Sequence, residues 1–252
     1  MPFQSIVRLA RLLHTPMHKR HHVVLTRHRL VYSRIPKAAN SSIKQALARH
    51  VDLKSKDAGG SANTDRFWFH RPEYGIDIVG ARELVTRYPD YFVFTFVRNP
   101  FDRLVSVYHQ KIAHRMKLPK GLGPLGFSIG MDFADFIVRV SEIGDDRADR
   151  HFRGQLDMLT YRGKYLPDFT GRVESATDWD RLAEILRERD GFEIGPLPRR
   201  HVKREDHTDL LDYFTDPAME RLVQDRFAAD FEKFYPDASD LATTMALLRV
   251  DG

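Results

Sequence analysis

Residues Arg34–Ser42, with the sequence RIPKAANSS, place a lysine, two alanines and three short polar side chains directly after an apolar run. Apolar residues at helical spacing begin at once, at Ile43 and Leu47, so the stretch predicts a strand, a tight turn and a helix start. Small residues let the backbone approach a ligand, and a helix N-terminus attracts anions. Lys37 adds a full positive charge. This composition predicts an anion-binding turn, although an ordinary capped helix after a strand has the same composition.

A second strand-to-helix turn lies in FTFVRNPFDRLVSVY, residues 94–108. The run Tyr91–Val97 has seven residues without a charge, which is typical of a strand buried on both faces. Arg98 follows it directly and Pro100 stands in the turn. In the helix that follows, Asp102 is predicted to be a cap and Arg103 a solvated residue. Two such turns on neighbouring parallel strands indicate a ligand with phosphate groups at both ends.

The turn around Lys37 does not have the pattern of a phosphoryl-transferring P-loop enzyme. That loop is G-x-x-x-x-G-K-[ST], whereas Lys37 follows a proline and stands at the start of the small residues. No aspartate ends a predicted strand in the manner of a magnesium ligand. The chain also has no cysteine, which removes thiolate metal sites and a cysteine nucleophile. We therefore expect no metal.

The elements that must position the two turns alternate between strands and helices, which favours an α/β fold in three layers, with a central parallel sheet flanked by helices. Besides the strands that precede the turns, the sequence predicts strands over Arg66–His70 and Phe169–Glu174. It predicts helices over Ala81–Tyr88, Phe133–Val140, Trp179–Arg189 and Met219–Phe234.

The positive charge is concentrated at the N-terminal end. Residues 1–50 hold ten Lys or Arg residues and no acidic residue, within a chain whose net charge is +5. We predict a basic N-terminal arm over residues 1–29 and one domain over residues 30–252. The spacing of apolar residues over 3–13 predicts an amphipathic helix. This helix could pack on the domain or, with the basic residues up to 22, contact a membrane surface. We interpret HKRHH, residues 18–22, as a solvated linker in preference to a metal site.

No apolar run approaches the roughly 20 residues that a membrane span requires, and the N-terminus lacks the apolar core of a signal peptide. We therefore expect a soluble cytoplasmic protein, with possible peripheral contact at the inner membrane surface. The basic block would equally suit a nucleic-acid-binding protein. The aromatic residues of the run Tyr91–Val97 look buried, however, and we expect no nucleic-acid partner.

The two turns together, RIPKAANSSI and FTFVRNPFDRLVSVY, resemble the two cofactor motifs of sulfotransferases, in the branch of the carbohydrate sulfotransferases of Golgi type and their bacterial relatives. The second motif is very specific. The first departs from the usual pattern, because Ala38, Ala39 and Asn40 replace the commoner glycine and threonine. The resemblance continues in DRHFRGQ (residues 149–155), GRVES (residues 171–175) and the segment that starts at HVKRED, and it extends from Leu30 to Pro236.

This resemblance implies a P-loop-like fold and the transfer of a sulfuryl group from 3′-phosphoadenosine 5′-phosphosulfate (PAPS) to a hydroxyl or amine, with a carbohydrate or glycoconjugate as acceptor and 3′-phosphoadenosine 5′-phosphate (PAP) as product. Lys37 to Ser42 would hold the 5′-phosphosulfate, with Lys37 on the bridging oxygen, and Arg98 and Ser106 would hold the 3′-phosphate. The implied donor-binding residues are Lys37, Ala38, Ala39, Asn40, Ser41, Ser42, Arg98, Ser106 and, as weaker matches, Arg172, Lys203 and Arg204.

A sulfuryl transferase of this kind also needs a general base. His70 precedes Arg98 by about the distance seen for the base histidine of similar bacterial proteins, and a neutral imidazole accepts a proton near pH 7. Glu73 and His151 remain alternatives. A protein that binds the nucleotide without turnover also remains open, because of the unusual turn at Ala38 and Ala39.

Overall fold

In the part of the chain that the structure describes, five short strands form the central sheet, and a separate hairpin pairs two more. The computed structural model describes residues 20–113, 116–198 and 210–250. Its strands are β1 (His22–Leu25), β2 (Leu30–Ser33), β3 (Ile76–Val79), β4 (Phe92–Val97), β5 (Thr160–Tyr161), β6 (Lys164–Tyr165) and β7 (Phe169–Arg172).

The sheet has the order β3-β1-β2-β4-β7, and β5 pairs with β6. Strands β2, β4 and β7 run parallel to one another, whereas β1 is antiparallel to both of its neighbours. The carboxyl ends of β2, β4 and β7 therefore meet at one edge of the sheet, and β1 begins at that same edge because His22 is paired with Ser33. This arrangement confirms the predicted α/β fold with a mostly parallel central sheet.

The α-helices of the described residues cover both faces of the sheet, which gives three layers, and further helices form the C-terminal part of the chain. These α-helices are α1 (Asn40–Ala48), α2 (Ser55–Ala58), α3 (Ala81–Arg87), α4 (Pro100–Tyr108), α5 (Phe133–Ser141), α6 (Gln155–Leu159), α7 (Asp178–Asp190), α8 (Leu210–Tyr213), α9 (Pro217–Arg226), α10 (Ala228–Phe234) and α11 (Leu241–Val250).

The sheet is buried on both faces because the side chains of each strand alternate between two hydrophobic clusters. On one face, Tyr32 and Phe94 pack with Ile43 of α1 and Leu182 of α7. On the other, Val31 and its neighbours pack with α3. A third cluster joins α4, α5, α9 and α10 beyond the end of β4. Helices α1 and α4 therefore start at the carboxyl edge of the sheet and are anchored by separate cores.

Most of the predicted elements are present, with two differences. Residues 66–70 form turns and not the predicted strand, and the outer strand is instead β3, whose buried Asp77 interrupts the apolar pattern. The predicted helix Met219–Phe234 is two helices, because α9 ends at Arg226 and α10 begins at Ala228.

The folded domain begins earlier in the chain than we predicted. His22–Leu25 lies inside the sheet between β2 and β3 and is buried, although the sequence assigned it to the basic arm. Arg20, His21 and His22 are 3%, 8% and 1% exposed, so the predicted solvated linker is wrong at these three residues. Residues 1–19 of the predicted arm lie outside the described residues, as do Lys203 and Arg204. In the described part of the chain, no helix is long and apolar enough to cross a membrane.

Candidate active site

The turn around Lys37 joins β2 to α1 without a capping side chain. Lys37 and Ala39 have φ values of 72° and 49°, a left-handed conformation that costs about 1–2 kcal/mol for a residue with a Cβ. Ala39 is the N-cap residue of α1, and its side chain makes no capping hydrogen bond. Asn40, Ser41 and Ser42 lie inside the helix. The capped-helix alternative is therefore wrong, and the first turn presents backbone N–H groups of the kind that bind anions.

Arg98 meets this turn from the neighbouring strand. Its guanidinium donates to the Lys37 carbonyl oxygen at 3.2 Å and forms a two-point ion pair with Asp102 at 2.7 and 2.8 Å. The cap of α4 is Asn99, whose side chain accepts from the Phe101 N–H. Asp102 is therefore the partner of Arg98 and not the predicted cap. Ser106 follows one turn after Asp102, on the same side of α4.

Arg103 is 1% exposed, so the prediction of a solvated residue is wrong. Its guanidinium donates to the carbonyl oxygens of Pro36 at 3.2 Å, Arg153 at 2.8 Å and Arg150 at 3.3 Å. Burial lowers the pKa of Arg103 to about 10. This side chain holds α4, the Lys37 turn and the segment 150–153 in one arrangement.

Lys37 is surrounded by other cations. Burial, followed by the charges of Arg98 and Lys111, lowers the pKa of Lys37 to about 8, against the opposing effect of Asp102. Lys111 lies in a single π-helical turn, His109–Ala113, that extends α4, and such turns are frequent at functional sites. Our reading of the sequence missed Lys111, although its place one turn after Tyr108 was visible. The excess of positive charge at the turn favours a multiply charged anion.

Glu174 connects the end of β7 to the start of α4 and to Tyr235. It follows β7, accepts the Asn99 N–H at 2.7 Å and accepts the Tyr235 hydroxyl at 2.8 Å. Burial, and then the charge of Asp102, raises the pKa of Glu174 to about 7. Arg172, at the end of β7, pairs with Asp237 at 2.9 Å.

A cavity of about 280 Å³ opens on the β1 side of the Lys37 turn. His151 lines it, and its Nδ1 lies 2.5 Å from Asp149, an arrangement that places the proton on Nδ1 and leaves Nε2 as the acceptor. Burial lowers the pKa of His151 in spite of Asp149, and Lys111 contributes to this shift as it does at Lys37. The lining residues are His21, Arg34, Pro36, Asn40, Lys44, Asn63, Thr64, Asp65, Arg150 and His151.

His70 and Glu73 do not line this cavity. His70 pairs with Asp77 of the outer strand β3 at 3.1 Å, and β1 lies between β3 and β2. The carbonyl oxygen of Glu73 accepts a hydrogen bond from Arg27, at the edge where β2 begins. Of the three candidate bases, His151 is the one that the fold brings to the cavity beside the turn.

Potential metal ligands are not grouped near these residues. Within residues 20–113, 116–198 and 210–250, no group of three or more His, Asp or Glu side chains could hold a metal ion.

Comparisons with known proteins agree with the family resemblance of the two turns. The sequence model of the sulfotransferase family matches residues 20–236. Carbohydrate sulfotransferase 8 of mouse (Mus musculus) is 34% identical over 100 residues, which cover 40% of this chain and 24% of the mouse protein. The human protein (Homo sapiens) of the same name is 33% identical over 100 residues, which cover 40% of this chain and 23% of that protein. The matched part thus spans about a quarter of these relatives. No solved structure matches this chain.

Proposed function

The chain belongs to the sulfotransferase family, and from that premise we propose that it transfers a sulfuryl group from PAPS to a hydroxyl group of a carbohydrate or glycoconjugate. The acceptor oxygen forms a bond to sulfur as the bond between sulfur and the phosphate oxygen breaks, and PAP leaves. The similarity to carbohydrate sulfotransferase 8 supports a carbohydrate acceptor. The observation that carries the proposal is the pair of cationic turns, at Lys37 and Arg98, at adjacent carboxyl ends of β2 and β4.

The residues of the first turn fit the 5′ end of the donor. The N-terminus of α1 has no capping side chain, and the ammonium of Lys37 lies among further cations. We assign Lys37 to the bridging oxygen, where its charge stabilises the negative charge that develops as the phosphate leaves. The backbone of residues 38–42 holds the phosphosulfate.

The second turn fits the 3′-phosphate. Arg98 is oriented by Asp102, and Ser106 lies one turn further on the same side of α4. Arg172 is a weaker candidate, because its guanidinium already forms an ion pair with Asp237. A sulfuryl group carries one negative charge fewer than a phosphoryl group, so lysine and backbone donors suffice and no metal is needed.

We assign the general base to His151, with His70 as the alternative. The contact between His151 and Asp149 supports this choice, because it leaves Nε2 as the acceptor at a cavity next to the turn. Nε2 takes the proton of the acceptor hydroxyl as the bond to sulfur forms.

Nucleotide binding tests the donor site directly. PAP should raise the melting temperature more than AMP, because only PAP carries the 3′-phosphate. Arg98→Ala should weaken PAP binding by about 1.5–3 kcal/mol, the scale of a hydrogen bond to a charged group. The matched control is Arg139→Ala, which removes an exposed arginine paired with Glu142. Equal shifts with PAP and AMP would refute the 3′-phosphate site.

Turnover tests the reaction itself. Incubation with PAPS labelled in its sulfate and a panel of neutral and acidic glycans should give a labelled glycan, with and without a chelator. PAP binding without any sulfuryl transfer would indicate a protein that binds the nucleotide but does not catalyse the reaction. Activity that vanishes in chelator and returns with magnesium would contradict the assigned chemistry.

A further inference from the structure

A second group of cations lies on the other side of the Lys37 turn from Arg98. Arg34 directly follows β2, Lys44 lies one turn into α1 and Arg150 belongs to the segment that Arg103 holds. All three line the cavity together with His151. Because β1 flanks β2 on one side and β4 flanks it on the other, the turn separates this cluster from Arg98.

Asp65 is the carboxylate that these cations share. Its Oδ1 pairs with Arg34 and lies 3.8 Å from Lys44, and its Oδ2 lies 3.3 Å from Arg150. A second carboxylate, Asp149, lies against His151 and interacts with the charge of Arg150. Burial keeps the pKa of both His21 and His151 low, so these histidines are neutral at pH 7. Three cations and two carboxylates leave an excess of about one positive charge at the cavity.

Two of the three cations are buried, which distinguishes the cluster from a solvated patch. Lys44 and Arg34 are 2% and 4% exposed. Burial, and then the charge of Arg34, lowers the pKa of Lys44 to about 8, in spite of Asp65. Burial also lowers the pKa of Arg34. Buried cations normally have enough partners to compensate for lost hydration, and here the two buried cations share Asp65 with the partly exposed Arg150. A further anion in the cavity would supply the missing compensation.

The donor groups of the cluster are unequally engaged. Arg34 uses its guanidinium on Asp65 and on the carbonyl oxygens of Arg20 and His21, so it acts as a fixed charge. Lys44 donates to the Asn63 carbonyl oxygen at 2.5 Å. Arg150 has a side chain that is 33% exposed. Lys44 and Arg150 are therefore the residues with donors to offer to a ligand.

We propose that this cavity binds a negatively charged group of the acceptor, so that the acceptor is an acidic sugar that carries a carboxylate, sulfate or phosphate. Lys44 and Arg150 contact that group, Arg34 adds its charge and Asp65 competes for the same cations. The inference rests on the proposed function, since it names the acceptor class. The cavity, at about 280 Å³, is close to the lower end of the usual range for small-molecule sites, about 300–1,000 Å³.

Binding of matched sugars to the protein saturated with PAP tests this inference. The charged probes are glucuronic acid, glucose 6-sulfate and glucose 6-phosphate, and the neutral probe is glucose. At least one charged probe should bind at least tenfold more tightly than glucose, and the ranking of the three identifies the preferred anion. Equal affinity for glucose and all three charged probes, or binding of none of them, would overturn the inference.

Two variants separate a binding role from a structural one. Arg150→Gln should weaken the charged probe at least fivefold and leave glucose and PAP unchanged, whereas Arg139→Gln should change none of them. Asp65→Asn should strengthen binding of the charged probe at least threefold, since the competing carboxylate is removed. Weaker binding in a folded Asp65→Asn protein, or no change in Arg150→Gln, would refute the assignment. The PAP shift is measured first and without sugar, so a failed donor site is distinguishable from a failed acceptor site.

Discussion

Burial and neighbouring cations shift the pKa of the lysine side chain at the Lys37 turn. Lys37 has a pKa of about 8 because burial and the charge of Arg98 both disfavour its ammonium form. A bound phosphate would favour the ammonium form and raise that pKa. Nucleotide binding is therefore coupled to the uptake of a proton above pH 8.

This coupling predicts that PAP affinity is constant between pH 7 and about 7.5 and falls as the pH rises through 8, because free Lys37 loses its proton there. The slope should disappear in Lys37→Met. Lys44→Met is the matched control, since Lys44 also has a pKa of about 8 but belongs to the proposed acceptor cavity. Calorimetric PAP titrations between pH 7 and 9.5 measure this slope, and a slope that persists in Lys37→Met would assign the proton to another group.

The two histidines with carboxylate partners differ in their place in the fold. His151→Ala should lower the rate of transfer by about 10²–10⁴ with PAP affinity intact, the usual effect of losing a general base. His70→Ala should leave the rate close to that of the wild type, because its partner Asp77 lies on the outer strand. The acidic limb of the kcat/KM profile should flatten in the His151 variant alone. The opposite result would make His70 the base, as the sequence predicted.

At the scale of the elements, helix α4 brings the two turns and the base together. Arg98 directly precedes its N-cap and pairs with Asp102 in its first turn. Arg103 binds the Pro36 carbonyl oxygen and two carbonyl oxygens of the segment with His151. Arg103 is a positioning residue, because its described contacts are to the backbone.

Replacement of Arg103 by methionine should lower the free energy of unfolding by about 3–5 kcal/mol, since three carbonyl oxygens lose a charged donor that is itself buried. Arg139→Met on α5 removes an exposed pair and should cost less than about 1 kcal/mol. Denaturant melts measure both. If the folded Arg103→Met protein also keeps its full kcat, the arrangement of the segment 150–153 does not depend on this side chain.

Across the whole molecule, Glu174 joins the end of β7 to α4 and to the C-terminal segment through Asn99 and Tyr235. Its pKa of about 7 lies above that of an unfolded glutamate, so its contribution to stability is complete below pH 4.5 and is lost as the pH rises through 7. The loss is up to about 3 kcal/mol.

Glu174→Gln should remove this part of the pH dependence, because a glutamine can accept the same N–H without a charge. The difference between the free energies of unfolding at pH 5 and pH 8 should therefore be smaller in the variant by up to about 3 kcal/mol. Glu142→Gln, on an exposed pair, controls for loss of a surface charge. An unchanged difference in Glu174→Gln would mean that Glu174 is ionised throughout this range.

The basic N-terminal end of the sequence predicts a further property of the whole chain. If residues 3–13 and the basic residues after them contact anionic lipid, deletion of residues 1–19 should abolish binding to vesicles that contain phosphatidylglycerol, with PAP binding intact. The deletion must stop before Arg20, because Arg20 is buried and β1 follows at His22. Vesicle binding that survives the deletion would exclude this role.

The sequence by itself determined the local chemistry. Lys37 with its small neighbours, Arg98 after a buried run and the apolar periods of most helices were all readable, because backbone turns and strand or helix periods depend on neighbouring residues. The family followed from the same two stretches. The sequence also predicted that α1 and α4 begin at the carboxyl ends of neighbouring parallel strands, since that follows from strand and helix order.

Only the tertiary structure decided which distant residues join these turns. Strand β3 was not predicted from the sequence, because the charge of Asp77 breaks the apolar pattern. In the folded chain that charge is compensated by Arg87 and His70, which belong to other segments. Arg103 looked solvated because its three carbonyl partners are remote in sequence. The antiparallel strand β1 brings the His21 end of the chain to the cavity, and the segment held by Arg103 brings His151 there. Long-range pairing of this kind leaves no local period, so it becomes visible only in the folded chain.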